Sequence, residues 1–127
     1  MSGLRLIHPG PHGAVFGFAG WSGSGKTTLA EKVISFLSAS GVNVATIKHA
    51  HHRFDADHVG KDSFRHRQAG SRQVLVSSVY RSAHFVEHGD GGEPELKQLL
   101  GQLLPAELVL VEGFKSYPIE KIEVHRP

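Results

Sequence analysis

The sequence has 127 residues, 39% apolar and 20% charged, a size and balance that point to one globular domain and leave no room for a second independent core. A formal charge of only +2 excludes bulk binding of nucleic acid, and the absence of cysteine excludes disulfides and thiolate metal sites. No apolar run reaches the roughly 18 residues needed to span a bilayer, and the N-terminal stretch MSGLRLIHPGPHG lacks the apolar core of a secretion signal, so no membrane role and a cytoplasmic location are expected.

In chain order, residues 1–13 read as a flexible leader and 14–127 as the folded domain. Ala14 to Ala19 (AVFGFA) is an apolar run bounded by glycines and predicts a buried strand. Gly20-Trp21-Ser22-Gly23-Ser24-Gly25-Lys26-Thr27 then fits G-x-x-x-x-G-K-[ST] without a gap. The glycines allow backbone conformations in which successive N–H groups face phosphate oxygens, and the helix that follows adds the positive end of its dipole. Lys26 is expected to reach the β- and γ-phosphates as a point charge, and the Thr27 hydroxyl to ligate Mg²⁺. Gly20, Ser22, Gly23, Ser24, Gly25, Lys26, Thr27 and Thr28 are therefore the phosphate-binding candidates.

From Lys26 to Ser40 the period becomes helical, with Leu29, Val33, Phe36 and Leu37 expected on one face and Gly41 as the C-terminal cap. Val42 to Ile47 (VNVATI) predicts a second strand. Residues 48–61 carry no hydrophobic period and predict a long functional loop. Six of the fourteen Lys and Arg residues and five of the ten His lie between Lys48 and Arg72, so the basic character gathers beside the phosphate loop. Three readings of this segment stand. In the first, Lys48 and Arg67 meet phosphate and Asp55 or Asp57 orients a water or metal. In the second, its histidines bind Zn²⁺ or Ni²⁺. In the third, it is a solvated loop.

A short helix is expected at 62–69, with Asp62 as N-cap and Gly70 as stop. Strands follow at Gln73 to Ser77 and Ala83 to Glu87, then a glycine-rich turn at 88–92. Glu93 to Leu104 predicts an amphipathic helix, with Pro94 in its first turn and Leu96, Leu99, Leu100, Leu103 and Leu104 as its apolar stripe. Leu108 to Val111 is a fully apolar strand that ends on an acid, Glu112, where a P-loop protein carries its second acid near the metal, and Glu112 is expected to hold Mg²⁺ through a water. Lys121 to His125 predicts the last strand. Apolar strands alternating with helices imply an α/β fold, a three-layer sandwich around a mostly parallel sheet.

The phosphate loop, Ile47-Lys48-His49-Ala50-His51-His52, the 60–70 stretch, Val109-Leu110-Val111-Glu112-Gly113-Phe114-Lys115 and Lys121 to Arg126 together resemble the MobB family, the molybdopterin-guanine dinucleotide biosynthesis proteins B. The resemblance covers residues 14–126. It implies a P-loop NTPase fold, often a homodimer, that binds GTP with Mg²⁺ and hydrolyses it weakly; from the residues themselves, Lys26, Asp55 and Asp57 are the catalytic candidates. It implies an accessory role beside the guanylyltransferase MobA, with molybdopterin or its carriers as further partners. Lys48, His49, His51 and Arg67 would lie by the nucleotide, and Thr27 and Glu112 by the metal. Family members usually continue past the strand ending near Arg126, so the chain reads as a truncated form or a piece of a fusion. No [NT]-K-x-D sequence occurs, and guanine preference comes from the resemblance alone. A small-molecule kinase with Asp55 or Asp57 as base, and a His-rich metal-insertion GTPase, are the alternative functions.

Overall fold

The computed structural model describes residues 9–20, 25–50, 62–113 and 120–124. The chain divides into two compact units, one made of Met1–His51 with Glu95–Pro127 and the other of His52–Pro94.

The first unit is built on a parallel sheet of four strands, β1 (Ala14–Gly20), β2 (Val44–Lys48), β5 (Leu108–Glu112) and β6 (Glu120–Val124), in the order β2-β5-β1-β6. Alternate residues of the inner strands enter opposite layers, as the period of two in a strand requires. Val109 and Val111 pack with Leu96, Leu100 and Ala106 on one side, while Leu110 packs with Phe18 and Ala30 on the other. A helix therefore covers each face, α1 (Lys26–Ala39) on the Leu110 side and α3 (Leu96–Gln102) on the Val109 side. Coverage of both faces explains why β5 is apolar at every position before Glu112.

Helix α1 ends as expected at Gly41. The amide of Gly41 donates to Ser38 O at 3.0 Å and that of Val42 to Leu37 O at 3.0 Å, and Gly41 supplies the positive φ of 86° that this double closure needs. Its buried face differs from the expected one. Leu29, Ala30, Val33 and Ile34 meet the sheet, whereas Phe36 is 72% exposed. At 100° per residue the packed residues span an arc that Phe36 falls just outside, so bulk alone does not bring it in.

Helix α3 is shorter than the 93–104 stretch expected. Glu95 is its N-cap in a capping box, its own amide bonded to Gln98 Oε1 at 3.0 Å, which places Pro94 outside the first turn. At the other end Leu103 is already extended, and Leu104, expected in the apolar stripe, is exposed.

The second unit holds α2 (Asp62–Gln68) and the strands β3 (Gln73–Ser77) and β4 (Ser82–Val86). The two strands form a separate antiparallel hairpin, with Leu75 opposite His84. The four residues between them are far too few for the crossover that a parallel pair requires. Val74 is the buried residue of the hairpin, while Leu75, Val79 and Tyr80 are largely exposed.

Residues 9–13 of the expected leader are among the described residues, and they pack within the first unit. His12 is buried at 5% exposure, and both of its ring nitrogens are engaged. Ala106 N donates to Nδ1 at 3.1 Å, which leaves the proton on Nε2 to be donated to Leu100 O at 3.0 Å. The Gly13 amide bonds Ala106 O at 2.9 Å, so the chain before β1 is tied to the segment between α3 and β5. His12→Ala should leave the buried Ala106 amide unpaired, while Leu100 O keeps the Leu103 amide at 3.3 Å, and lower stability by about 1–3 kcal/mol. In urea unfolding this reads as a lower midpoint with an unchanged slope; an unchanged midpoint would show that His12 holds nothing.

Candidate functional site

A parallel sheet sends the carboxyl ends of all its strands to one edge, and ligands of such folds gather there. Here that edge carries Gly20 of β1, Lys48 of β2, Glu112 of β5 and Val124 of β6. Register ties three of these ends together, since Glu112 lies opposite Phe18 on one side and Lys48 on the other.

From β1 the chain passes to α1, whose N-cap is Gly25 at φ 95°, ψ 10°. Left-handed backbone at this point is open to glycine and strained for other residues. No acidic residue lies in the first turn of α1. That turn therefore brings no carboxylate of its own to the positive end of the helix dipole.

Thr27, in that first turn, donates its hydroxyl to Glu112 Oε1 at 2.5 Å across 85 residues of sequence. This is the short distance of a charge-assisted O–H···O⁻ bond. A hollow of about 150 Å³ adjoins the pair, lined by apolar residues such as Phe18, Ala30, Ile34 and Leu110 and also by Glu31 and Lys48. The pair offers one hydroxyl and one carboxylate, both hard oxygens. That set fits Mg²⁺, which takes one or two protein oxygens and completes its shell with phosphates and water. Among the described residues no group of three or more His, Cys, Asp or Glu could form an all-protein metal cage.

The backbone around Glu112 is held on both sides. His49 N donates to Glu112 O at 2.8 Å, and Gly113 N donates to Phe18 O at 3.4 Å. Gly113 is buried and has φ 98°. A Cβ added there would lie 2.7 Å from His49 Cβ, closer than two carbons can approach. In sequence this glycine stands out only as the residue after Glu112; the signal of its crowding lies in three dimensions.

The remaining predicted residues distribute as follows. Thr28 is exposed in the first turn of α1, and Lys26 is that helix's first residue. Lys48 is exposed at the end of β2, and His49 is half-buried beside Glu112 and Gly113. Ser22, Gly23, Ser24, His51, Asp55 and Asp57 lie outside the described residues, as does most of the histidine-rich segment. Arg67 belongs to the other unit, where its Nε donates to Glu87 Oε1 at 2.8 Å and its guanidinium lies 5.7 Å from the centre of the Phe85 ring.

Comparison with known proteins adds a family. Residues 15–127 match the model of MobB, molybdopterin guanine dinucleotide synthesis protein B. The chain is 45% identical over 111 residues to a molybdopterin-guanine dinucleotide biosynthesis adapter protein of Escherichia coli K12, covering 86% of this chain and 63% of that protein. It is 45% identical over 115 residues to the adapter protein of Haemophilus influenzae, covering 88% of this chain and 63% of that one. The chain thus spans about 63% of the length of these curated relatives. Among solved structures it resembles Bacillus subtilis MobB with a TM-score of 0.72 and 28% identity, over 87% of this chain and 67% of that one. A MobB homolog from Bacillus stearothermophilus gives a TM-score of 0.68 at 25% identity, over 89% of this chain and 64% of that one.

Proposed function

The chain belongs to the MobB family, and on that premise we propose that it is a GTP-binding adapter in the biosynthesis of molybdopterin guanine dinucleotide. The observation that carries the reading is the bond between Thr27, at the start of α1, and Glu112, at the end of β5. Gly20, Ser22, Gly23, Ser24, Gly25 and Thr28 contribute phosphate contacts, and Lys26 meets the outer phosphates. Mg²⁺, when bound, neutralises phosphate charge. Thr27 holds it through its hydroxyl, and Glu112 directly or through a water. Lys48, His49 and His51 flank the nucleotide. Slow hydrolysis uses Lys26, with Asp55 or Asp57 orienting the water. The word adapter in the relatives' names supports a protein partner, which we take to be the guanylyltransferase MobA.

Calorimetric titration with GTP and ATP, each with Mg²⁺, tests the nucleotide. GTP should bind more tightly; equal affinities would remove guanine recognition from this chain. Lys26→Ala should weaken triphosphate binding by about 10- to 150-fold, the loss of one charge-assisted contact, without moving the melting temperature. Unchanged affinity in the folded variant would sink the role of Lys26.

The carboxylate beside Thr27 gives a prediction whose sign changes with the metal. Without a divalent cation Glu112 repels the phosphates; with one it helps to hold the cation. Glu112→Gln should therefore tighten GTP binding in EDTA and weaken it in Mg²⁺, so that the gain from Mg²⁺ shrinks about 10-fold. A parallel shift in both media would remove Glu112 from the metal.

The partner is also a second copy of the chain. A two-stranded sheet is marginal alone, and this hairpin exposes Leu75, Val79 at 96% and Tyr80 at 90%. Those residues support self-association through the hairpin. Sedimentation should give twice the 13.8 kDa chain mass, and Val79→Ser with Tyr80→Ser should return it to the monomer. A wild-type monomer at tens of micromolar would rule this out.

A further inference from the structure

We propose that Gly113 is a positioning residue for the metal side of the site, because its missing Cβ is the space that His49 needs to hold the end of β5 in place. The inference rests on the reading of Thr27 and Glu112 as the metal-holding pair.

Three observations meet at this corner. The His49 amide is bonded to Glu112 O at 2.8 Å, which extends the β2–β5 pairing one residue past the strands. The Gly113 amide reaches back to Phe18 O at 3.4 Å, so the turn after Glu112 is also tied to β1. Between these two bonds, a Cβ on residue 113 would meet His49 Cβ at 2.7 Å and His49 Cγ and Nδ1 at 3.6 Å.

The closest atom decides the consequence. A side chain relieves a clash at its far end by changing rotamer, but Cβ is fixed to the backbone and no rotation of His49 moves it. Relief requires the ends of β2 and β5 to part, and the bond that would open is His49 N to Glu112 O. Glu112 would then shift with its backbone, and the 2.5 Å contact of its carboxylate with Thr27 Oγ1 would be lengthened or turned. Crowding at a buried glycine is thus transmitted to the oxygens offered to the cation. Gly113 touches neither cation nor phosphate in this account; it acts through His49 and Glu112.

Gly113 also has φ 98°, which by itself disfavours any other residue. The two causes separate by the partner's Cβ. If the steric couple is the cause, the effect of Gly113→Ala persists in a His49→Ala background, which keeps the Cβ, and disappears in a His49→Gly background, which lacks it. If the backbone angle is the cause, all three backgrounds respond alike.

The readout is the ratio of GTP affinities measured with Mg²⁺ and with EDTA on the whole 127-residue chain. Gly113→Ala should lower this ratio about 10-fold in the wild-type and His49→Ala backgrounds and by less than about twofold in His49→Gly, the scale expected for a group that orients a metal ligand. An unchanged ratio in folded Gly113→Ala, or an equal drop in all three backgrounds, would overturn the proposal. Should Gly113→Ala fail to fold, folding becomes the readout: recovery with His49→Gly and not with His49→Ala supports the couple, and unfolding in every background overturns it. Thr27→Ala and Glu112→Gln are measured alongside. If they lower the ratio and Gly113→Ala does not, only the role of Gly113 falls. If neither lowers it, the metal-pair reading fails and this inference falls with it.

Discussion

Burial of β5 on both faces is the constraint on which the rest of the first unit depends. Val109 and Val111 are fully buried under α3, and Leu110 is buried under α1, so no register shift of this strand is tolerable. A slip of one residue would exchange the two faces and pull Glu112 out of step with both neighbours. Because β5 lies between β1 and β2, its register also aligns the ends of Phe18 and Lys48 with Glu112. The geometry at the sheet edge is thereby inherited from the packing of apolar residues.

The same packing puts an acid beside the positive end of a helix dipole. The first turn of α1 brings no carboxylate of its own, and Glu112 reaches it from another strand through Thr27. The contact serves both partners, since the hydroxyl gains a carboxylate acceptor and the carboxylate lies by the positive end of the helix dipole. A phosphate arriving at those amides meets like charge from Glu112. A cation between them turns that repulsion into attraction. On the proposed function, the acid bonded to Thr27 is thus the one that would make an anion's entry depend on a metal.

Much of this was legible in the sequence where local chemistry and global packing agree. The P-loop pattern sits between a strand and a helix whose ends the residues announce, with Gly25 and Gly41 both at positive φ. The approach of Glu112 to the start of α1 follows from its place at the end of a wholly apolar inner strand. The errors came where periodicity was asked to decide between neighbouring angles, as with Phe36 and Ile34, or where side-chain capping overrode it. Glu95 took the N-cap of α3, and the leucine stripe lost Leu104 because the helix stopped first. His12 and Gly113 belong to a different class. A histidine among Pro and Gly reads as surface, yet here its ring bonds two backbone groups more than 80 residues away. Such pairings leave no local trace.

Glutamate at position 112, where aspartate is the commoner acid, follows from the distance between strand and helix. The carboxylate reaches Thr27 Oγ1 directly at 2.5 Å from the last residue of β5. Aspartate is shorter by one methylene, about 1.5 Å, and from the same backbone it would leave the hydroxyl beyond direct contact, with a gap suited to water. The longer acid therefore couples β5 to α1 without an intermediary. The added reach brings added rotamer freedom, so its direction needs fixing by the backbone that carries it. That backbone is held at its carbonyl by His49 and at the following amide by Phe18. A long acid and a tightly bonded strand end are complementary: the one spans the distance, the other keeps it constant.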